Sequence, residues 1–278
     1  MNKILKKFII FLSLLVIASG TYFAYINFYK PWSDSKRASL EADSNKVLDD
    51  ELYIEPDNIK DLQLATDAEN VAPSIAATSA AANVKSKQLP VEYISQLPEL
   101  PTGCEITSLA EVLNYLGYEV DKEYLAENDL KMIDDLSGSF NSYFIGSPWS
   151  ESGWGCFAPA ITNAGNKYLT SIKSSKKAYN ISGSTLSQLL AEIRNGNPVI
   201  VWVTTRLDER TIFDNIEMDN GTIFKWPENE HCVVLIGYDL NSPQTVTVAD
   251  PLAGVVERTY SQFNSRYNEL GKRAVVIK

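Results

Sequence analysis

Two kinds of apolar pattern divide this chain, and their order restricts the folds open to it. Up to Arg194 apolar residues recur at helical spacing, and after Pro198 they gather in short β-branched runs. Ile106, Leu109, Ala110, Leu113 and Leu116 mark one face of a helix over Glu105–Leu116, with Gly117 placed to end it. Lys122–Lys131 reads as a second short helix, Pro159–Leu169 as a third with proline at its start, and Leu186–Arg194 as a fourth closed by Gly196. Ser137–Phe157, rich in Gly, Ser, Pro and aromatics, reads as loop. Val199–Thr204, Cys232–Ile236, Thr245–Ala249 and Ala274–Ile277 read as core strands, Arg206–Gly221 as a polar excursion, and Tyr260–Leu270 as a helix. Helices first and strands later predict an α+β fold, an antiparallel sheet packed on N-terminal helices.

Only part of the 278 residues fits that plan. Phe8 to Tyr29 is an uncharged apolar stretch preceded by Lys3, Lys6 and Lys7. About 20 such residues cross a bilayer, and the lysines orient the N-terminus toward the cytoplasm. Ala18-Ser19-Gly20 also offers a small-residue cleavage site, so a cleaved signal peptide stays open. The apolar continuation past that site to Tyr29 favours a retained anchor. Either way the bulk of the chain is expected outside the cytoplasm, as a single-pass membrane protein or, after cleavage, as a secreted one. The expected organisation is an anchor over 1–30, an acidic flexible linker over 31–87 and a folded domain over 88–278. The linker is rich in Ala, Ser, Asn and Asp and lacks sustained apolar periodicity. Net charge is −10, and no Lys/Arg cluster is interleaved with aromatics, which argues against nucleic acid as a partner.

Cysteine and histidine carry the candidate chemistry. There are three cysteines, so even a Cys156–Cys232 disulfide would leave one thiol free. With one histidine and no metal-ligand spacing, neither a structural zinc nor any cofactor is expected. Cys104 sits in Pro101-Thr102-Gly103-Cys104-Glu105-Ile106, directly before the first helical pattern. Thr102 and Glu105 have capping-box spacing, with Pro101 and Ile106 at the staple positions. That would make Cys104 the second helical residue, its sulfur near unpaired N–H groups that favour thiolate. A lone cysteine is more often a small buried hydrophobe. The rest of the chain weighs against that here. Pairing Tyr238 with Thr245 or Gln244 in a hairpin brings His231, the only histidine, close to Asp250-Pro251. A carboxylate beside an imidazole fixes its tautomer and stabilises imidazolium. Gln96, across a proline-stiffened loop from Cys104, could direct its amide N–H at a developing oxyanion together with the Cys104 backbone N–H.

Three blocks carry a resemblance. They are Tyr93-Ile94-Ser95-Gln96 with Leu100 to Ala110 and Leu113 to Gly117; Gly146-Ser147-Pro148 through Gly153 to Ile161; and His231 to Asp239 with Val248-Ala249-Asp250-Pro251. Together they resemble the bacterial peptidase-like domains related to the bacteriocin-processing, double-glycine leader peptidases of the papain-like superfamily. The likeness spans about Leu89 to Ile277. It implies a papain-like cysteine peptidase fold with Cys104 as nucleophile, His231 as general base and acid, Asp250 as the orienting residue and Gln96 as oxyanion donor. The expected function is a membrane-tethered, extracytoplasmic cysteine peptidase acting on peptide or amide bonds, including those of cell-wall peptides. A cell-wall amidase or transpeptidase on the same triad, and a non-catalytic peptide-binding module, are the alternatives.

Overall fold

The computed structural model describes residues 84–207 and 209–278. The anchor over 1–30 and nearly all of the linker lie outside the described residues; among those described, no helix is long and apolar enough to cross a membrane. The described part of the chain opens with β1 (Ser86–Gln88), followed by α1 (Cys104–Tyr115), α2 (Lys122–Asn128), the short strands β2 (Met132–Ile133) and β3 (Phe144–Ile145), and α3 (Ala158–Ser171). Then come β4 (Ala178–Asn180), α4 (Leu186–Arg194), β5 (Val199–Thr204), β6 (Phe213–Glu217), β7 (Ile223–Pro227) and β8 (Glu230–Asp239). The fold closes with β9 (Thr245–Asp250), β10 (Gly254–Thr259), α5 (Tyr260–Glu269) and β11 (Ala274–Ile277). This is the α+β arrangement the pattern predicts.

The main sheet has seven strands in the order β10-β9-β8-β5-β11-β4, with β1 also on β8. Every pairing within it is antiparallel. Strand β8 is its axis: β5 pairs along Glu230–Leu235, β1 along Gly237–Asp239, and β9 takes the other edge. All of β8 from His231 to Tyr238 is buried, so both of its faces are covered. That is why its residues read as a continuous apolar run rather than an alternating one.

Helix α1 is buried nearly all round. Every residue from Cys104 to Leu113 is buried, not only the predicted stripe. The polar members survive because each has a partner. Thr107 donates to the Gly103 carbonyl, Ser108 to the Cys232 carbonyl, and Glu111 accepts the Ile94 N–H. These bonds fasten α1 to β8 and to the segment before it. Burying a Leu such as Leu109 or Leu113, both fully inaccessible, is worth about 1.5–3 kcal/mol.

Three expectations change. The polar excursion ends in a hairpin, β6–β7, whose Trp226 stacks on Phe140 and Phe157 at centroid distances of 4.5 and 5.7 Å. Its Phe213-Asp-Asn-Ile-Glu strand is too polar to be recognised by composition. Within the predicted loop, Phe144–Ile145 pairs in parallel with Met132–Ile133. Ordered pairing also begins at Ser86, two residues before the expected domain start.

Candidate active site

The His231–Asp250 contact depends on a β-bulge. At the outer end Tyr238 faces Val246, and at the inner end Val234 faces Ala249; Ile236 is the extra residue between Leu235 and Gly237. Continuing the inner register sets Asp250 opposite Val233, and His231, two residues on, shares that face. Without the bulge Asp250 would oppose Val234 and point away from His231, since a one-residue slip reverses every side chain. The predicted register was therefore about a residue off at the outer end, and the bulge restores the neighbours. The bulge is held by the Leu89 N–H, which donates to the Ile236 carbonyl at 2.8 Å. Gly237 is needed beside it, because a Cβ there would lie 2.9 Å from the Lys87 carbonyl oxygen.

The resulting pair is short and buried. His231 Nε2 lies 2.7 Å from Asp250 Oδ1, and the two residues are 2% and 1% exposed. Oδ1 also accepts the Leu252 N–H at 2.9 Å. Burial alone would push the Asp250 carboxyl up; the hydrogen bond and charge of His231, the Leu252 N–H and Arg258 outweigh it, and the net shift is downward. With Nε2 committed to Asp250, Nδ1 is the ring nitrogen left for a substrate or thiol.

Cys104 begins α1 but without the predicted cap. Gly103 is the N-cap, no side chain caps the helix, and Cys104 is its first residue. The Thr102 hydroxyl instead donates to the carbonyls of Ser150 and Ser147 at 2.9 and 3.3 Å, tying the 147–150 turn to the helix entrance. Glu105 turns inward rather than back to the cap. Its Oε1 accepts the Cys156 N–H at 2.7 Å and its Oε2 accepts the Cys104 thiol at 3.4 Å. Gly155 makes room for it: a Cβ there would meet Glu105 Oε1 at 2.7 Å, and φ is +132°.

This environment reverses the thiolate expectation. Burial, then the charges of Glu105 and Glu230, push the Cys104 thiol well up, and the Cys232 N–H offsets only part of it. A helix N-terminus contributes only about 0.3–1 kcal/mol, and the desolvation of a fully buried thiolate exceeds that. The larger effect wins, and the resting sulfur is a neutral thiol that donates to Glu105. Among the described residues no hydrogen bond joins it to His231. All three cysteines are free and buried, so Cys156 and Cys232 do not pair.

Gln96 lies where the sequence places it but is occupied. It is 2% exposed, and its Nε2 donates to the Pro101 and Leu100 carbonyls at 2.7 and 3.3 Å. Both amide hydrogens are thereby engaged, so neither points at a vacant oxyanion position. Its backbone N–H donates to the Pro251 carbonyl at 3.0 Å, which links the loop before Cys104 to the residue after Asp250. The Cys104 backbone N–H has no protein acceptor among the described residues and is one of the free donors at this end of the helix.

Sequence reasoning overlooked two buried acids, Glu105 and Glu111, and the half-buried Glu230. Glu105 had been assigned to a cap, Glu230 is simply the neighbour of His231, and Glu111 sits at an apolar-looking turn of α1. Burial pushes Glu105 up to about 7 and Glu111 up to about 8. Burial and then Glu105 push Glu230 well up, with Arg273 opposing. Cys104 Sγ and one oxygen from each of Glu105 and Glu230 lie within 4.8 Å of one another, the one grouping among the described residues compact enough to suggest a metal ion. Glu105 already spends one oxygen on Cys156 N–H and the other on the thiol, which is the pattern of an acid pair beside a sulfur.

Residues 88–275 match the Peptidase_C39 like family. The chain is 32% identical over 217 residues to the uncharacterized protein YvpB of Bacillus subtilis (strain 168), a match covering 72% of this chain and 82% of that protein. A crystal structure described as a C39-like peptidase from Bacillus anthracis matches at 32% identity and a TM-score of 0.62, over 70% of this chain and 98% of that one. Xylellain, a cysteine protease from Xylella fastidiosa, matches at 12% identity and a TM-score of 0.37, too distant a likeness to bear on the site. The chain therefore belongs to the Peptidase_C39 like family.

Proposed function

We propose that the protein is a membrane-tethered, extracytoplasmic cysteine peptidase in which Cys104, His231 and Asp250 form the triad. The observation that carries this reading is the buried 2.7 Å contact of the only histidine with Asp250, on a domain whose first helix begins at Cys104. Substrate entry releases Sγ from Glu105, and the S–H proton passes to His231 Nδ1. The sulfur attacks the amide carbonyl carbon, and the oxyanion meets the Cys104 backbone N–H. The imidazolium, stabilised by Asp250, gives its proton to the leaving amine. Water, deprotonated by His231, then cleaves the thioester, releasing the acid and restoring the thiol. An oxyanion role for Gln96 requires one of its N–H groups to leave the Leu100 or Pro101 carbonyl.

The location rests on the apolar 8–29 stretch behind three lysines, followed by the acidic linker. The substrate class is peptide, including wall peptide. One observation favours a second reading, a peptide-binding module that keeps the fold: the thiol is held neutral by Glu105 rather than placed on His231. Hydrolysis of a mixed peptide library, read by mass spectrometry on wild type, Cys104→Ser and His231→Ala, separates the two. Turnover confined to wild type supports the peptidase. Turnover retained in His231→Ala refutes the triad, and none in wild type leaves the binding module. Recovery of the protein in the membrane fraction with Met1 or Asn2 at its N-terminus supports the anchor, and a soluble product beginning near Thr21 contradicts it.

A further inference from the structure

Glu105 and Glu230 do nothing in the triad scheme, yet they crowd its nucleophile. Their carboxylate oxygens and Cys104 Sγ are mutually within 4.8 Å. Glu105 is fully buried. Glu230 is half-buried as a residue, but its Oε1 is buried and has no hydrogen-bond partner. The surrounding groups offer little compensation. Cys156 and Cys232 face the same cluster as neutral thiols, and His231, which acts on Glu105 from a distance, has its Nε2 on Asp250. Arg273 is the cation that acts on Glu230. Its guanidinium lies 3.6 Å over the Phe157 ring and donates to the Leu270 carbonyl, and it forms no ion pair among the described residues. Glu111 lies farther along α1 and acts on Cys232 and Asp250 rather than on the pair.

Two carboxylates with oxygens within 4.8 Å of one another in a buried site repel strongly, so ionisation of one opposes ionisation of the other. They therefore titrate as a unit with two separated steps. We propose that Glu105 and Glu230 share a proton near neutral pH and form a positioning pair that sets the ionisation of Cys104. Glu105 holds the thiol as a hydrogen-bond donor at rest. Glu230 keeps the shared proton, so that one negative charge rather than two stands beside the sulfur. When the shared proton is lost at alkaline pH, the second charge suppresses thiolate formation. The step moves only a proton, between the carboxyls and solvent.

The proposal rests on Cys104 being the nucleophile, and its test needs no turnover. Iodoacetamide alkylation of Cys104 in the full-length protein is followed from pH 5 up to the alkaline limit of the folded state, with the modified residue mapped by mass spectrometry. Glu230→Gln removes a charge from a side chain that makes no hydrogen bond, so it perturbs the fold least. Its alkylation midpoint should fall by about one to two pH units, a roughly 10- to 100-fold faster reaction at a fixed pH below the midpoint. Glu105→Gln should also fall, and the double variant by less than the sum, because the two act as one group. A purely structural role would change the rate at every pH and leave the midpoint in place. An unchanged or raised midpoint in Glu230→Gln overturns the pair, whether or not Glu105→Gln folds. If the midpoint falls but no variant or wild type cleaves peptide, the pair stands and the peptidase reading falls.

Discussion

Replacing Asp250 separates what its charge does from what its hydrogen bond does. In Asp250→Asn an amide oxygen can still accept from His231 Nε2–H and from Leu252 N–H, contacts now at 2.7 and 2.9 Å. What is lost is the stabilisation of imidazolium. A hydrogen bond to a charged group exceeds a neutral one by about 1–1.5 kcal/mol, which converts to a fall of roughly 5- to 15-fold in kcat/KM. Asp250→Ala removes both bonds and strands Nε2 in a site where His231 is 2% exposed. Leaving a buried polar atom unpaired costs about 1–3 kcal/mol, and losing the Leu252 bond adds about 1 kcal/mol, so stability should fall by about 2–4 kcal/mol. The Ala variant should also lose more activity than the Asn variant, since the ring is no longer oriented. The pH dependence follows from the lowered Asp250 carboxyl. Its stabilisation is fully present above the unfolded value of about 3.9 and is lost as pH falls through the lower folded value. Asp250→Asn should remove that acid limb. Urea unfolding from pH 2 to 7 and steady-state kinetics at pH 7 measure both parts. Equal activity and stability in the Asn and Ala variants would refute the reasoning.

Glu111 gives the opposite sign: its carboxyl is pushed up to about 8 in the fold, so stability should decline as pH rises from about 4.5 to 8, by on the order of 5 kcal/mol. Glu111→Gln should flatten that decline in urea midpoints taken between pH 5 and 9. Thr185 forms a complete capping box with Gln188, whereas Thr102 makes no cap. Thr185→Ala should therefore cost about 1 kcal/mol through α4, read from thermal unfolding. In Thr102→Ala the loss should come from freeing the 147–150 turn, seen as faster amide exchange there while α1 stays protected.

The helices were legible because Ile106, Leu109 and Leu113, or Leu186, Leu189 and Ile193, repeat at the helical period regardless of what packs on them. Core strands such as Val199–Thr204 were legible from β-branching. The His231–Asp250 contact could be anticipated from hairpin length, but not its register. Both faces of β8 are buried, so no alternation in its sequence marks where Ile236 bulges. The electrostatics of the nucleophile were least legible. Thr102 and Glu105 have capping-box spacing, and only the tertiary fold shows Glu105 taken by the Cys156 N–H, 51 residues away. Glu230 comes near Cys104 only through the sheet. A local reading credited the helix end and missed the burial that outweighs it.

The central claim is that Cys104 forms a covalent acyl intermediate with help from His231. Incubation of the full-length protein with an activated peptide ester, quenching in acid and intact-mass analysis with peptide mapping tests it directly. The account predicts a mass increase equal to the acyl group, located on Cys104, absent in Cys104→Ala and strongly slowed in His231→Ala. Acylation at Cys156 or Cys232, or acylation of Cys104 at the same rate without His231, would contradict it.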